Sequence, residues 1–496
     1  MGTIQKWADI ADSQHRNSEG FPEYLIRGAE SVQWTFDLRQ ESLAIMQEDL
    51  GLLTLDEVRK HNSSDDAWLV VNNVVWDVAD FASYHPGGEE VIIRYFGRDA
   101  SDIYNEFHGP GLIGEFLKEE KKVGKLSVTQ AQSRNAPQQQ QSPQKAKVRA
   151  ELPDLQEILN LNDFEKAART CLNEKAWAYI SGATNDNLTR DWNTDWFQKL
   201  MFRPRVLRSV KHVDCSTIIL GEKLVMPILN APASSAILVH PHAEKALAKG
   251  LVSQGSIVII PTMSSYSTEE IVGDLPDKQP FFYQLYVSED RAFTKTLLDN
   301  AIRFKASAIV VTVDLPVFSK REANERYEQK IARAKTISKP GSVGNTQTSR
   351  LPERASRAID PNLSWSDIKW IKEYTGLPVF VKGIQCAEDA LSAYQIGCAG
   401  IYISNHGGRA VDTAQPAIVT LAEVRAMHPK LMERMIVLID GGIRRGTDIL
   451  KAICLGASAV CLGRPFFYAL MYGQEGVEHA LEGERLWYSS RVARTE

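Results

Sequence analysis

The second half of the chain alternates short, β-branched apolar runs with stretches of helical spacing. The runs are PILNAP (227–232), SIVIIPT (256–262), PFFYQLY (280–286), SAIVVTVD (307–314), PVFVKG (378–383), GIYISN (400–405), IVLID (436–440) and AVCLGR (459–464). A strand that is apolar on both faces belongs in a parallel sheet covered by helices. Eight strand–helix units predict an α/β (β/α)8 TIM barrel rather than an open, doubly wound sheet. Side chains at the C-terminal strand ends of such a barrel face the active site. Polar residues gather at those ends: Gln284 and Tyr286, Thr312 and Asp314, Lys382, Ser404 to His406, Asp440 and Arg464.

The pattern changes elsewhere. Residues 129–150 (TQAQSRNAPQQQQSPQKAKVRA) have no apolar periodicity and read as a flexible tether. It divides the chain into a small domain over 51–128 and the barrel over 151–496, with residues 1–50 as an N-terminal extension of unknown role. Within the barrel, residues 328–360 interrupt the rhythm between the fourth and fifth units, and are expected to form a long loop.

In the small domain, Trp68 to Val78 are strand-like, and His85-Pro86-Gly87-Gly88 forms a turn that opens a helix. His108 follows 23 residues after His85, in His108-Gly109-Pro110-Gly111. Two neutral imidazoles on opposed helix–loop elements can ligate haem iron from both faces, which leaves no open position for oxygen and suits one-electron transfer. His-Pro-Gly-Gly with a second His at this spacing resembles the cytochrome b5 family. The resemblance implies a small α+β domain holding haem b through His85 and His108.

Composition narrows the classes further. A hydrophobic content of 44% and a charged content of 24% are those of an ordinary globular protein. The net charge of −5 gives no footprint for nucleic acid. No apolar run approaches the roughly 18 residues of a membrane span. Six scattered cysteines, with no Cys-x-x-Cys pair, read as free thiols in a reducing compartment. Residues 1–50 carry four basic and nine acidic side chains and no apolar core, unlike a signal or transit peptide, so the expectation is cytoplasmic. Residues 51–128 hold 8 basic and 14 acidic side chains, a surface suited to a basic redox partner.

At the end of the sixth strand, Ser404-Asn405-His406-Gly407-Gly408-Arg409 places a possible base three residues before a possible carboxylate clamp. This hexapeptide resembles the signature of FMN-dependent 2-hydroxy acid dehydrogenases and oxidases, over roughly residues 152–480. The two domains together resemble the flavocytochrome b2 family. By resemblance, Tyr179 and Tyr286 bind substrate, Arg321 and Arg409 are the arginines around it with Arg409 as the carboxylate clamp, and His406 is the base with Asp314 as its partner. Lys382 would lie near the flavin, with further cofactor contacts at Pro232, Ala233, Ser234, Ser264, Gln284, Thr312 and Ser404. Asp440-Gly441-Gly442-Ile443-Arg444 and Gly463-Arg464 follow the seventh and eighth strands, where this fold commonly holds phosphate.

The resemblance implies FMN and haem b as cofactors and L-lactate or a similar L-2-hydroxy acid as substrate. It also implies an acceptor such as cytochrome c and a homotetramer, and it offers the mitochondrial intermembrane space as the alternative compartment. Two other readings are open: an oxidase that reduces oxygen to hydrogen peroxide, and an impaired haem- and flavin-binding protein. The sequence also departs from the family. Ser234 stands at a pocket alanine, and Tyr266 where relatives carry Leu or Trp. By resemblance both line the pocket around the substrate side chain, where a small methyl group would strand their hydroxyls, so a larger or more polar 2-hydroxy acid is expected to match or exceed L-lactate as substrate. Only 32 residues follow Arg464, so a missing closing helix is expected, with residues 1–50 as a possible cover.

Overall fold

The computed structural model describes residues 51–127, 152–207, 213–317, 319–338 and 357–495. The expected tether and the N-terminal extension lie outside the described residues.

All eight apolar runs are strands: Ile228–Asn230, Val258–Pro261, Phe281–Leu285, Ala308–Thr312, Val379–Ile384, Gly400–Ile403, Ile436–Asp440 and Ala459–Leu462. From the second to the eighth, each pairs in parallel with the next in sequence, and the eighth pairs with the first. Between the first and second strands a side chain supplies the pairing. The buried Asn230 amide donates to the Ile259 carbonyl at 2.8 Å and accepts from the Ile259 N–H at 2.7 Å.

Alternation along each strand separates two cores. Leu229, Ile259, Phe282, Val310, Phe380, Tyr402 and Leu438 fill the barrel interior, which the hairpin residues Ile219 and Leu224 close at its N-terminal end. The intervening residues, such as Ile260, Tyr283, Ile309, Val381 and Ile439, face the helices. This period of two follows from the pleat, and burying both faces explains why each run is apolar throughout. Register then lines up the functional ends: Pro261 with Gln284, Thr312 with Lys382, Lys382 with Tyr402, and Asp440 with Cys461.

Two expectations are corrected. The chain after Arg464 does form a closing helix, Gly473–Thr495. Its Val477, Ala480 and Leu481 are buried, so this helix covers part of the barrel wall. The insertion at 328–360 is not wholly loop, because the helix Glu322–Ser338 runs into it.

The small domain is a mixed sheet with short helices, in one compact unit with the barrel. Its central hairpin pairs Asp66–Val71 with Val74–Asp77. Asn72 and Asn73 turn it with φ of 51° and 67°, the left-handed pair that a tight hairpin turn requires. Trp76, Leu69, Phe96 and Leu117 form a core beneath the helices Glu89–Ile93, Ser101–Phe107 and Leu112–Phe116. Among the described residues no helix is long and apolar enough to cross a membrane.

Candidate active site

The loop after the sixth strand carries the chemistry. His406 has a φ of 59°, followed by Gly407 and Gly408 at 61° and 78°. A non-glycine residue in this region costs of order 1–3 kcal/mol and persists only where its surroundings fix it. They do so here. The Ser404 hydroxyl accepts from the His406 N–H at 3.0 Å, and the Asn405 side chain accepts from the Gly408 N–H at 3.1 Å. Asn405 is clasped in turn by Asn193, amide to amide, at 2.9 Å in both directions.

The bent loop sets His406 Nδ1 2.7 Å from Asp314 Oδ1. A carboxylate only accepts, so the imidazole proton sits on Nδ1 and Nε2 carries the free lone pair. Burial holds the imidazole below its ordinary pKa of 6.5, with Lys382 and Arg321 pushing the same way and Asp314 opposing. His406 is therefore neutral and able to accept a proton. Burial would raise the Asp314 carboxyl, but Lys382 and His406 outweigh it and hold it below the usual range. Lys382 Nζ stands 3.5 Å from Asp314 and 3.2 Å from Ser404 Oγ. Burial works against its charge, yet Asp314 and Asp440 more than offset this and keep it protonated. Gly383, at φ 112°, makes the close approach possible: a Cβ there would lie 2.6 Å from that of Asp314.

Two arginines face this base. Arg409 donates to the backbone carbonyls of Tyr179 at 2.7 Å and Gly182 at 3.2 Å. Burial and the nearby charge of Arg321 oppose its own charge. Arg321 Nε is buried with no partner. Tyr179 hydrogen-bonds the Ser234 hydroxyl at 2.9 Å and accepts from Ser235 at 3.3 Å. Burial keeps the Tyr286 phenol protonated. Two cationic groups, one with an orphaned donor, lining one cavity with a neutral base call for an anion that carries a removable proton.

Gln284, Ser264, Pro232 and Ala233 line the same cavity, with Asp440, Gly442, Arg444, Gly463 and Arg464. Thr312 and Ser404 are buried behind its wall, where Thr312 accepts from Gln284 at 3.0 Å and Ser404 donates to Asp440 at 2.7 Å. The Ser264 hydroxyl donates to the Tyr266 carbonyl. Arg444 Nε meets Glu165 at 3.2 Å. Arg464 spreads its guanidinium over the carbonyls of Ile180, Gly407 and Gly182, and burial lowers it to about 10.

The cavity, of about 610 Å³, continues into the small domain and reaches His85 and His108. Their ring centres are 6.2 Å apart and the planes nearly perpendicular, at 88°. A metal–imidazole bond is about 2.0 Å, and each ring centre lies roughly 1 Å behind its nitrogen, so about 6 Å between centres admits one ion. His85 Nδ1 lies 3.2 Å from the Gly88 carbonyl, the outer bond that fixes a ligating imidazole. Burial depresses both histidines, His108 to about 4, so both are neutral, as metal ligands must be. The surrounding wall is apolar, from Leu69, Val71, Phe81 and Phe116.

Comparison with known proteins agrees with this geometry. The FMN-dependent dehydrogenase family profile matches residues 168–484, and the cytochrome b5-like haem/steroid binding domain profile matches residues 54–127. The L-lactate dehydrogenase (cytochrome) of Saccharomyces cerevisiae is 39% identical over 441 residues, 86% of this chain and 74% of that protein.

The chain belongs to the FMN-dependent dehydrogenase family.

A glycolate oxidase of Spinacia oleracea, also similar, is 36% identical over 332 residues, 66% of this chain and 89% of its own. Among solved structures, a flavocytochrome b2 double mutant with pyruvate bound matches with a TM-score of 0.64 at 37% identity. The match covers 71% of this chain and 86% of that one. The chain is thus a family member fused to a cytochrome b5-like domain, and its cofactors are FMN and haem. The cradle fits the haem, and the buried Lys382 with the Gly441–Gly442 turn fits an anionic flavin nucleotide.

Sequence reasoning missed the Asn193–Asn405 clasp, which joins residues 212 apart and leaves no local signal. It also assigned Tyr266 to the substrate pocket. Instead, the Tyr266 hydroxyl donates to the Pro241 carbonyl at 2.7 Å, and Ser234 is occupied by Tyr179. Neither hydroxyl is stranded, which removes the basis for expecting a substrate larger or more polar than lactate.

Proposed function

We propose that the protein oxidises an L-2-hydroxy acid of the lactate class to its 2-keto acid and passes the electrons through haem to an external acceptor. The neutral His406–Asp314 pair facing two arginines, one with a buried unpaired nitrogen, carries this reading. Bound FMN supplies a two-electron acceptor and haem a one-electron carrier. Arg321 and Arg409 hold the substrate carboxylate, and the phenols of Tyr179 and Tyr286 fix its orientation. His406 Nε2 takes the proton that the carbinol releases, and Asp314 stabilises the imidazolium that forms. Lys382 would place positive charge beside bound flavin, and the residues around Gly442 and Gly463 would hold its phosphate.

The test is anaerobic flavin bleaching by L-lactate and by 1,2-propanediol, which keeps the carbinol but lacks the carboxylate. Bleaching by lactate alone is expected. Equal bleaching by the diol would remove the arginine clamp from the account.

The acid limb of kcat/KM should lie below pH 6.5. His406 must be unprotonated, its pKa is depressed in the folded protein, and activity is lost only as pH falls through that lowered value. A pH–rate profile with ferricyanide as acceptor checks this, and an acid limb at pH 7 or above would contradict it. Ser234→Ala should raise KM for L-lactate by about two- to ten-fold with little change in kcat, the worth of one hydrogen bond to Tyr179. Steady-state kinetics measure it, and an unchanged KM would leave Ser234 no part in holding Tyr179.

The acidic small domain supports a basic one-electron carrier such as cytochrome c as acceptor. The homotetramer is proposed on family likeness, and sedimentation tests it.

A further inference from the structure

The turn after the second barrel strand, with the short helix Thr268–Val272, meets the small domain in a set of close, directional contacts. The Gly109 N–H donates to the Ser265 carbonyl at 2.6 Å. The Tyr266 ring lies so near Gly109 that a Cβ there would come within 2.5 Å of its Cδ1. Only glycine admits the ring at that distance. Glu115 completes the seat, accepting from the Thr268 N–H and hydroxyl at 2.8 Å each. The tyrosine is held from behind by its bond to Pro241, and Lys245 Nζ stands 5.2 Å from the ring centre.

Gly109 follows His108 directly, so the seat grips the loop that carries one face of the haem cradle. Tyr266 is spent on this contact and offers no free hydroxyl to the substrate pocket. We propose that Tyr266, with Ser265 beneath it, is a docking seat for the His108 loop and a positioning residue for electron delivery from the barrel to the haem domain. The inference rests on the relay proposed above. It adds the surface that aligns the two halves. The His85–His108 cradle and the catalytic rim open into one cavity, and the seat is a directional link between the two domains that line it. Removing the ring leaves the Gly109–Ser265 bond without its flanking wall, and the small domain samples poses in which the cofactors lie farther apart.

The test uses the full-length holoprotein with Tyr266→Ala and Tyr266→Phe, and Gly109→Ala as the same break made from the other side. Hydrogen–deuterium exchange of the peptide spanning residues 105–117, without substrate, reads the seat itself. Anaerobic mixing with L-lactate reads flavin bleaching and haem reduction separately. Tyr266→Ala should exchange the Gly109 amide roughly five-fold faster or more, the worth of one hydrogen bond. It should slow haem reduction about ten-fold while flavin bleaching stays within about two-fold of the unaltered protein. Tyr266→Phe keeps the ring and should restore both. Gly109→Ala combined with Tyr266→Ala should be no slower than the slower single variant, because both break one contact. Unchanged amide exchange and haem reduction in Tyr266→Ala would overturn the proposal, as would additive slowing in the double variant. If lactate bleaches no flavin even in the unaltered protein, the enzymatic reading fails, while the exchange data still decide whether Tyr266 seats the loop.

Discussion

His406→Gln is expected to slow flavin reduction by substrate about 10²–10⁴-fold, the range typical of removing a general base. The glutamine amide can occupy the site but cannot take the proton at neutral pH. Asp314 keeps Lys382 as its counter-charge at 3.5 Å, so losing the imidazole does not strand the carboxylate. Arg321 and Arg409 are untouched, and the affinity for a 2-keto acid such as pyruvate should change by no more than a few fold. Stopped-flow flavin absorbance and a keto-acid titration measure the two quantities. Near-normal flavin reduction would take the base role from His406, and a parallel loss of keto-acid affinity would show a collapsed site instead.

Replacing His85 or His108 with alanine has the other large effect. Either change removes one of two imidazoles 6.2 Å apart, and the six-coordinate haem spectrum should disappear. Flavin reduction by substrate should remain within about two-fold, because the His406 loop is fixed by Asn193, Asn405 and Ser404 in the barrel. Haem and flavin absorbance on one sample report both. A folded His108→Ala protein whose flavin is not reduced by substrate would contradict this division of labour.

The barrel was legible because a strand buried on both faces leaves a local, continuous apolar signature, and the polar residues that end each run mark the catalytic rim. Gln284, Lys382 and Asp440 stand where that reasoning puts them. The pairing of His406 with Asp314, 92 residues apart, came from likeness to a family and not from any local pattern. The closing helix did carry a signal. Val477, Ala480, Leu481 and Glu484 are buried at helical spacing, but the small alanine and the acidic Glu484 hide the stripe. Tyr266 was misplaced for a different reason. Its role depends on Gly109, which approaches only once two separately folded elements meet, and no periodicity along the chain encodes that. Arg464 likewise reads as a phosphate ligand by position, yet three backbone carbonyls share its guanidinium.

Electrons from a 2-hydroxy acid are proposed to enter at the barrel and leave through the haem. Rapid anaerobic mixing of the oxidised holoprotein with excess L-lactate, with flavin and haem absorbance recorded in one trace, tests it most directly. Flavin bleaching is expected first, with haem reduction following to completion without oxygen. A flavin that bleaches while the haem stays oxidised, and that recovers only when oxygen is admitted and hydrogen peroxide appears, would contradict it and identify an oxidase.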